Sequence, residues 1–291
     1  MASDLEKLAG DPDSPLFCEI ARLGNKQLHR IRKLASEELW SSVESIHDMR
    51  VATRRLRELL KIQLEVEKSK PLKKTHRFAR DLGRQLGAVR ADEVLIQGLK
   101  ELGPGVPIRV LGLSASMERR KELQRLASLL RSDEFDVWVD RAEGEFDKPN
   151  ARGPTVEQAA EALIERSRAK VQAHCDVQPD DEFGHLHRLR IDAKHLRYRL
   201  EFFSKVPDLQ AARAIKQLTE LQDHLGELHD KILLVDQIES ALDAEFEWTR
   251  DERSFLSDIQ GPLREQTCKM REESPSKWAF AFESHFLEQD T

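Results

Sequence analysis

Apolar residues recur along the chain at the spacing of one helix face. Leu28, Ile31 and Leu34, for example, are three residues apart, which is typical of an amphipathic helix. Ser41 and Glu44 form a capping-box pattern before the second helical stretch. The pattern predicts four helices before a boundary near residue 150 and four after it. The predicted ranges are about 16–39, 42–68, 71–102, 114–146, 156–175, 181–205, 208–243 and 247–285, the last with an interruption at Gly261-Pro262.

The clearest break is the segment from Asp147 to Pro154, which carries two prolines and a glycine. Thr155 and Gln158 follow it at the spacing of a capping box, so the helical pattern begins again there. An earlier break at 103–107 contains two glycines and two prolines and ends the third predicted helix. We therefore divide the chain into a tail (1–15), an N-terminal half (16–146), a linker (147–155) and a C-terminal half (156–288).

Composition excludes several classes of protein. Gly (13) and Pro (11) are scarce and aromatic residues make up only 6%, which argues against an all-β or doubly wound fold. No apolar run reaches the roughly 18–20 residues of a membrane span, and the acidic N-terminus lacks the apolar segment of a secretory signal. The three cysteines (Cys18, Cys175 and Cys268) are widely spaced, which indicates reduced thiols and no zinc site. We expect an all-α protein of the cytoplasm.

Two sequence blocks occur twice, in the same order. His47–Arg57 is matched by His187–Arg197, displaced by 140 residues, and Leu82–Gly87 is matched by Leu221–Gly226, displaced by 139. A period this long exceeds the unit of a helical solenoid. The repeat predicts a duplicated helical bundle in which each half buries its own core.

Positive charge is concentrated on the repeated blocks, although the formal net charge is −6. Residues 47–84 hold twelve Lys and Arg against five Asp and Glu, and residues 187–205 hold six against two. At about 100° per residue, the second predicted helix has a column of cations roughly opposite an apolar face. The column comprises Arg50, Arg54, Arg57 and Lys61, with His47 at its start. The C-terminal half repeats it with His187, Arg190, Lys194 and Arg197, but Glu201 stands at the position of Lys61.

The third predicted helix adds a second column to the N-terminal half. Lys73, Arg77, Arg80 and Arg84 lie within about 60° of one another on the wheel. The repeat carries Thr219 and Asp223 at the positions of Arg80 and Arg84, so we expect the N-terminal half to contribute more to anion binding. Like charges at these spacings destabilise a helix by about 0.2–0.5 kcal/mol per pair, and an ordinary solvated face mixes both signs. The duplicated columns therefore indicate an anion-binding site.

Three motifs in the repeats resemble the CHAD family, the conserved histidine α-helical domain. They are His-x-x-Arg-Val-x-x-Arg-Arg-Leu-Arg at 47–57, His-x-x-Arg-Ile-x-x-Lys-x-Leu-Arg-Tyr at 187–198 and Leu-Gly-x-Leu-His-Asp at 225–230. The resemblance extends over about residues 16–288. It implies two four-helix bundles related by a pseudo-twofold axis, with basic residues along a central groove or pore. It also implies binding of inorganic polyphosphate and targeting to polyphosphate granules.

By position, the resemblance implies a polyphosphate-binding set of His47, Arg50, Arg54, Arg55, Arg57, Lys61, His187, Arg190, Lys194 and Arg197. The helical wheel adds Arg77, Arg80 and Arg84. The chain departs from the family pattern at Ala91 and Glu93, where the family tends to carry aspartates, and at His195, where it carries a basic residue.

Polyphosphate suits rows of cations because it carries about one negative charge per phosphate, and arginine contacts phosphate oxygens bidentately. By analogy with nucleic acids, its affinity should fall steeply with salt. A bound polyanion favours the imidazolium form of His47 and His187, so binding should tighten as the pH falls from about 8 to 6. No catalytic module is evident, and we expect a non-catalytic protein without cofactor or metal.

Two alternatives compete with this interpretation. His47-Asp48 and His229-Asp230 suggest a metal-dependent phosphohydrolase of the HD type, but that chemistry needs further converging ligands, and the cationic column would repel a divalent metal. An RNA-binding module would also use basic helices. No nucleic-acid motif is present, however, and the scarcity of aromatic residues argues against single-strand binding.

Overall fold

Helices joined by short connections make up the computed structural model, which describes residues 9–36, 42–103, 105–175, 184–207, 209, 211–243 and 248–278. The helices are α1 (Leu16–Ser36), α2 (Val43–Val66), α3 (Lys70–Glu101), α4 (Val106–Leu130), α5 (Asp133–Asp147), α6 (Val156–Cys175), α7 (Gly184–Phe202), α8 (Ala211–Asp243) and α9 (Arg250–Trp278). In these ranges the only β-type pairing is an isolated antiparallel bridge between Pro15 and Thr155. The predicted all-α class is confirmed.

Hydroxyl side chains cap the N-termini of α2 and α6. The Ser42 hydroxyl accepts a hydrogen bond from the Ser45 N–H at 3.0 Å and caps α2. The expected cap, Ser41, lies outside the described residues. The capping box before α6 is confirmed, because the Thr155 N–H donates to Gln158 Oε1 at 3.0 Å and the Gln158 N–H donates to Thr155 Oγ1 at 3.2 Å.

The single helix expected at 114–146 is in fact two helices, α4 and α5. The chain turns at Arg131 and Ser132, and the Ser132 hydroxyl accepts from the Phe135 N–H at 3.3 Å to cap α5. α4 also begins earlier than predicted, at Val106. Pro107 lies in its first turn, where a missing N–H breaks no hydrogen bond. The described part of the N-terminal half therefore contains five helices, and the prediction of four was wrong.

α9 continues through Gly261 and Pro262, where we expected an interruption. An interior proline disfavours a helix by about 3 kcal/mol. Leu256 and Leu263, on either side of this pair, are both buried in one core. Tertiary packing of the flanking turns thus outweighs the local preference to break.

Buried apolar side chains form two cores, and neither is confined to one half of the sequence. The main core combines residues such as Met49 and Leu82 from the N-terminal half with Leu196 and Leu218 from the C-terminal half. The smaller core surrounds Ile238, where the ends of α3 and α8 pack with α4 and α9. The expectation that each half would bury its own core is therefore wrong.

Helix length explains this division of the core. α3 and α8 have 32 and 33 residues, whereas α2 and α7 have 24 and 19. At 1.5 Å per residue, α3 and α8 extend about 50 Å and reach beyond the helices that cover their first turns. α4 packs on the far part of α3, and α9 packs on α8, which buries the apolar residues there.

Buried polar contacts join the two halves. His195 Nδ1 lies 2.7 Å from Glu58 Oε2, and both side chains are largely buried. Arg199 is 1% exposed, pairs with Glu65 and donates to the main-chain oxygen of Leu163 at 2.7 Å. α7 is thereby held against α2, and the two helices that carry the predicted cation columns come into contact.

The segment before α1 is also anchored over its described residues. The Gly10 N–H donates to the Phe202 carbonyl at 2.9 Å, and Ala9 is 4% exposed. Residues 9–15 of the predicted tail therefore pack on the C-terminal half. None of the helices within the described ranges combines the length and hydrophobicity that a membrane span needs.

Candidate functional site

The cation column on α2 occupies one face of that helix. Arg50, Arg54, Arg57 and Lys61 are half-buried, and none of the four forms a salt bridge with any other described residue. His47 is exposed at the start of the column. The side chains behind the column are fully buried and comprise Met49, Leu56, Leu59 and Leu60. Burial of the guanidinium is the main cause that lowers the pKa of Arg50 and of Arg57, and neighbouring arginines lower both further.

The column on α7 meets the column on α2. Arg190 and Lys194 are half-buried, and His187 is exposed at the start of the helix. Burial, followed by the positive charges of Arg54 and Arg50, lowers the pKa of Lys194 to about 6. At neutral pH the Lys194 amine is therefore mostly deprotonated in the free protein. Burial is thus the main cause of this change, and the positive charges of the cation cluster of α2 and α7 (Arg50, Arg54, Arg190, Lys194 and Arg197) add to it.

Tyr198 lies at the contact of the two columns and is 3% exposed. Its ring centroid is 5.2 Å from the guanidinium carbon of Arg54 and 4.9 Å from that of Arg197. Both distances are typical of a cation–π interaction. The sequence motif contains this tyrosine, but the helical wheel gave no reason to assign it a role.

The cations on α3 flank the same face of α2. Arg77, Arg80 and Arg84 are exposed, and Asp81 accepts from Arg80 at 3.4 Å and from Arg84 at 2.6 Å. Arg57 approaches α3 at Gly83, where an added β-carbon would lie 3.2 Å from Arg57 Nη1. The missing side chain at this position lets the two helices present their cations side by side.

His76 also belongs to this group, although the sequence analysis did not identify it. The residue is half-buried, and burial followed by the charge of Arg57 lowers the pKa of its imidazole. On the helical wheel His76 lies about 40° from Arg80. The signal was therefore present as a histidine beside the predicted column of α3.

Glu58 supplies a buried negative charge beneath the column of α2. It is 5% exposed and hydrogen-bonded to His195. The hydrogen bond and charge of His195, followed by the charges of Lys61 and Arg57, hold the pKa of the Glu58 carboxyl below its usual range despite burial. His195, which departs from the family pattern, therefore connects the two halves.

Arg55 does not lie with the other predicted site residues. It is only 7% exposed, and on the wheel it lies about 130° from the middle of the α2 column. The motif match included Arg55 because it follows Arg54 in sequence. Adjacent helical residues point in different directions, so Arg55 is removed from the candidate surface.

Acidic residues partly neutralise the column of α7. Glu201 is 6% exposed and pairs with Arg197 at 3.2 Å, which agrees with its predicted intrusion at the position of Lys61. The charge of Asp230 counteracts the lowering of the Arg190 pKa by burial. The ring of His229, from the third motif, lies 5.9 Å from the ring of His187.

A cavity of about 1170 Å³ lies between α3, α4, α8 and α9, and Arg190 of α7 also lines it. Glu93, one of the departures from the family pattern, pairs there with Arg119 at 2.9 Å and with Arg90 at 3.3 Å. The lining is balanced in charge, with the cations Arg90, Lys100, Arg119, Arg190 and Lys231 and the acids Glu93, Glu101, Asp223, Glu227 and Asp230. This cavity is therefore distinct in character from the cation cluster of α2 and α7.

The Asp48 carboxylate, part of the His47-Asp48 pair that suggested an HD-type metal site, forms a salt bridge. Asp48 pairs with Arg30 of α1 at 2.7 Å, so its carboxylate is directed toward α1. Within the described part of the chain, no group of three or more His, Cys, Asp and Glu side chains is arranged to hold a metal ion.

Comparison with known proteins gives the family. A model of the CHAD domain matches residues 22–239. The fold is similar to the crystal structure of the CHAD domain from the plant Ricinus communis, with a TM-score of 0.71 and 19% identity over 93% of each chain. It is also similar to PptA from Streptomyces chartreusis, with a TM-score of 0.63 and 16% identity over 88% of this chain and 98% of that one. No curated protein matches the chain. Since the family model covers well over half of the residues, the chain belongs to the CHAD domain family.

Proposed function

We propose that this protein binds inorganic polyphosphate, or a similar phosphate polyanion, on the cation cluster of α2 and α7. The observation that carries the proposal is the crowding of Arg50, Arg54, Arg190, Lys194 and Arg197. Only Arg197 among them has a carboxylate within salt-bridge distance in the described residues. Uncompensated like charges are unfavourable when half-buried, and a polyanion would relieve that repulsion.

A flexible phosphate polymer fits this surface better than a nucleic acid. The guanidinium groups favour bidentate contacts with phosphate oxygens. The aromatic ring at the cluster, Tyr198, is already covered by Arg54 and Arg197, so it offers no face on which a base could stack. The α3 cations Arg80 and Arg84 extend the positive surface along α2 and would contact further phosphates.

The proposed role is binding without catalysis, in the cytoplasm and at polyphosphate granules. It rests on family membership and on the absence of an evident catalytic motif in the sequence. Incubation of the protein with polyphosphate, with and without Mg²⁺, should leave the length of the polymer unchanged on a gel. Progressive shortening that depends on the protein would contradict the non-catalytic proposal.

We also propose that the two halves arose by duplication and are related by a pseudo-twofold axis, with an additional helix in the N-terminal half. Both halves pack the helix with the His-x-x-Arg motif onto the helix that follows it, α2 on α3 and α7 on α8. Superposition of residues 16–146 on 156–288 should place His47 on His187 and Arg54 on Lys194. Failure of those pairs to overlay would contradict the duplication.

The direct test is a calorimetric titration of the full chain with long-chain polyphosphate, with RNA as a competitor. We expect saturable binding that excess single-stranded RNA fails to displace. Displacement by RNA at equal phosphate concentration would favour the nucleic-acid alternative, and no heat or gel shift at low salt would contradict anion binding altogether.

A further inference from the structure

The single tyrosine of the chain, Tyr198, contacts one cation from each half. Arg54 comes from α2 and Arg197 from α7, and their guanidinium carbons lie 5.2 and 4.9 Å from the ring centroid. Arg197 Nη2 also lies 3.4 Å from the tyrosine hydroxyl. One buried ring therefore links the two cation columns.

We propose that Tyr198 is a positioning residue of the polyanion site, whose ring orders Arg54 and Arg197 before any ligand binds. The inference rests on the proposed function. An uncharged side chain then contributes to the affinity for the polyanion, because it orders the arginines that bind it.

Few other contacts fix these two guanidinium groups. The Nε atoms of Arg54 and Arg197 are buried and have no hydrogen-bond acceptor in the described part of the chain. Arg54 forms no salt bridge there, whereas Arg197 pairs with Glu201. An arginine side chain loses much conformational freedom when it is ordered. A ring that orders Arg54 in the free protein removes part of that loss from the binding step.

The environment of the ring keeps it suited to this role. Burial raises the pKa of the Tyr198 phenol, although the charges of Arg54 and Arg197 act in the opposite direction. The hydroxyl therefore remains protonated at neutral pH. A phenolate would pair with the arginines and compete with the polyanion, whereas a neutral ring attracts the cations and leaves their charge available.

Three variants separate positioning from packing. Tyr198→Phe keeps the ring face and should bind long-chain polyphosphate within about twofold of the wild type. Tyr198→Leu removes the face and should bind about tenfold more weakly. Phe202→Leu is the matched control, because Phe202 lies on the same helix, is 1% exposed and packs against the ring of Phe203. The control should bind as the wild type does, and circular dichroism should report equal helicity for all three.

A double-mutant cycle makes the test specific to the arginines. In the background Arg54→Gln/Arg197→Gln, Tyr198→Leu should cause no further loss of affinity, because the side chains it positions are absent. If Tyr198→Leu lowers the helicity, Tyr198→Met takes its place, since an unbranched side chain fills the space without a ring face.

The outcomes distinguish this inference from the function on which it rests. Wild-type binding with a selective loss in Tyr198→Leu that vanishes in the double-glutamine background supports the positioning role. Wild-type binding with no loss in Tyr198→Leu, or with the same loss in both backgrounds, overturns the positioning role and leaves the proposed function intact. A wild-type protein that does not bind polyphosphate overturns both.

Discussion

The two halves carry the same motif but surround it with different neighbours. In the N-terminal half, Gly83 of α3 leaves room for Arg57 to lie against that helix. The repeat places Gln222 at the corresponding position of α8, where its side chain donates to a main-chain carbonyl of α7 at 3.4 Å. Arg197, the counterpart of Arg57, pairs instead with Glu201. The same motif is therefore surrounded by different neighbours in the two halves, and its cations are paired differently.

This comparison teaches that the partners of a charge decide its availability. The α2 column has no salt bridge among the described residues, and Arg80 and Arg84 of α3, which lie beside it, share the single acid Asp81. The α7 column holds a paired Arg197 and a largely deprotonated Lys194. We therefore expect the N-terminal half to dominate anion binding, and each prediction below tests that inequality.

The largest effect is expected from charge reversal on α2. Hydrogen bonds to charged partners contribute roughly 1.5–3 kcal/mol each, so Arg50→Glu with Arg54→Glu should weaken polyphosphate binding by at least about 100-fold. Arg190→Glu with Lys194→Glu should weaken it by about tenfold, because Lys194 is mostly neutral in the free protein. Affinities from calorimetry and helicity from circular dichroism check both pairs. Equal losses would mean that a symmetric pore holds the polymer.

The next effect is the pH dependence of binding. A bound polyanion stabilises the protonated Lys194 and raises its pKa from about 6, so affinity should increase by about tenfold as the pH falls from 8 to 6. Lys194→Met should remove most of this response. His47→Gln with His187→Gln should flatten it further, because a bound polyanion favours the imidazolium form of both side chains. A double-histidine variant that keeps the full response would show that these histidines are structural.

Lys194 also predicts how stability changes with pH. The unfolded lysine keeps its proton up to its ordinary pKa near 10.5, whereas the folded one releases it near 6. Between these values the unfolded state binds more protons, so this residue makes the free energy of unfolding rise with pH. Lys194→Met should flatten that slope and stabilise the protein at pH 7 by about 1 kcal/mol or more. Urea titrations at pH 6 and 8 measure it, and an unchanged slope would contradict the burial of this amine.

A smaller effect is expected when Gly83 of the N-terminal half is replaced by glutamine, the residue that the C-terminal half carries at the corresponding position 222. Gly83→Gln should displace Arg57 from α3 and weaken binding by about threefold. Gly87→Gln is the matched control, because no atom outside its own helix and chain neighbours lies within 4 Å of an added β-carbon there. A loss of equal size in the control would show that helix propensity, and not the position of Arg57, is responsible.

No effect on affinity is expected at Arg55, which the motif included in the site. Arg55→Gln should leave polyphosphate binding within about twofold while lowering the free energy of unfolding by about 1–3 kcal/mol, because the side chain is buried. A large loss of affinity at unchanged stability would restore Arg55 to the site.

Local patterns predicted the helices and the faces that carry the cations, because amphipathic spacing is a property of each helix alone. They failed where tertiary contacts decide. The continuity of α9 through Pro262 depends on buried neighbours, and the mixed core depends on the lengths of α3 and α8. The deprotonation of Lys194 and the contacts of Tyr198 arise only when α2 meets α7. His76 was within reach of the wheel, since it lies beside Arg80.

The measurement that tests the central claim most directly is the salt dependence of polyphosphate affinity for the wild type and the two charge-reversed pairs. The slope of log affinity against log salt reports how many phosphates the protein neutralises. The account predicts a steep negative slope for the wild type, a smaller one after Arg190→Glu/Lys194→Glu and the smallest after Arg50→Glu/Arg54→Glu. A wild-type affinity that is insensitive to salt, or a slope that the α2 pair leaves unchanged, would contradict it.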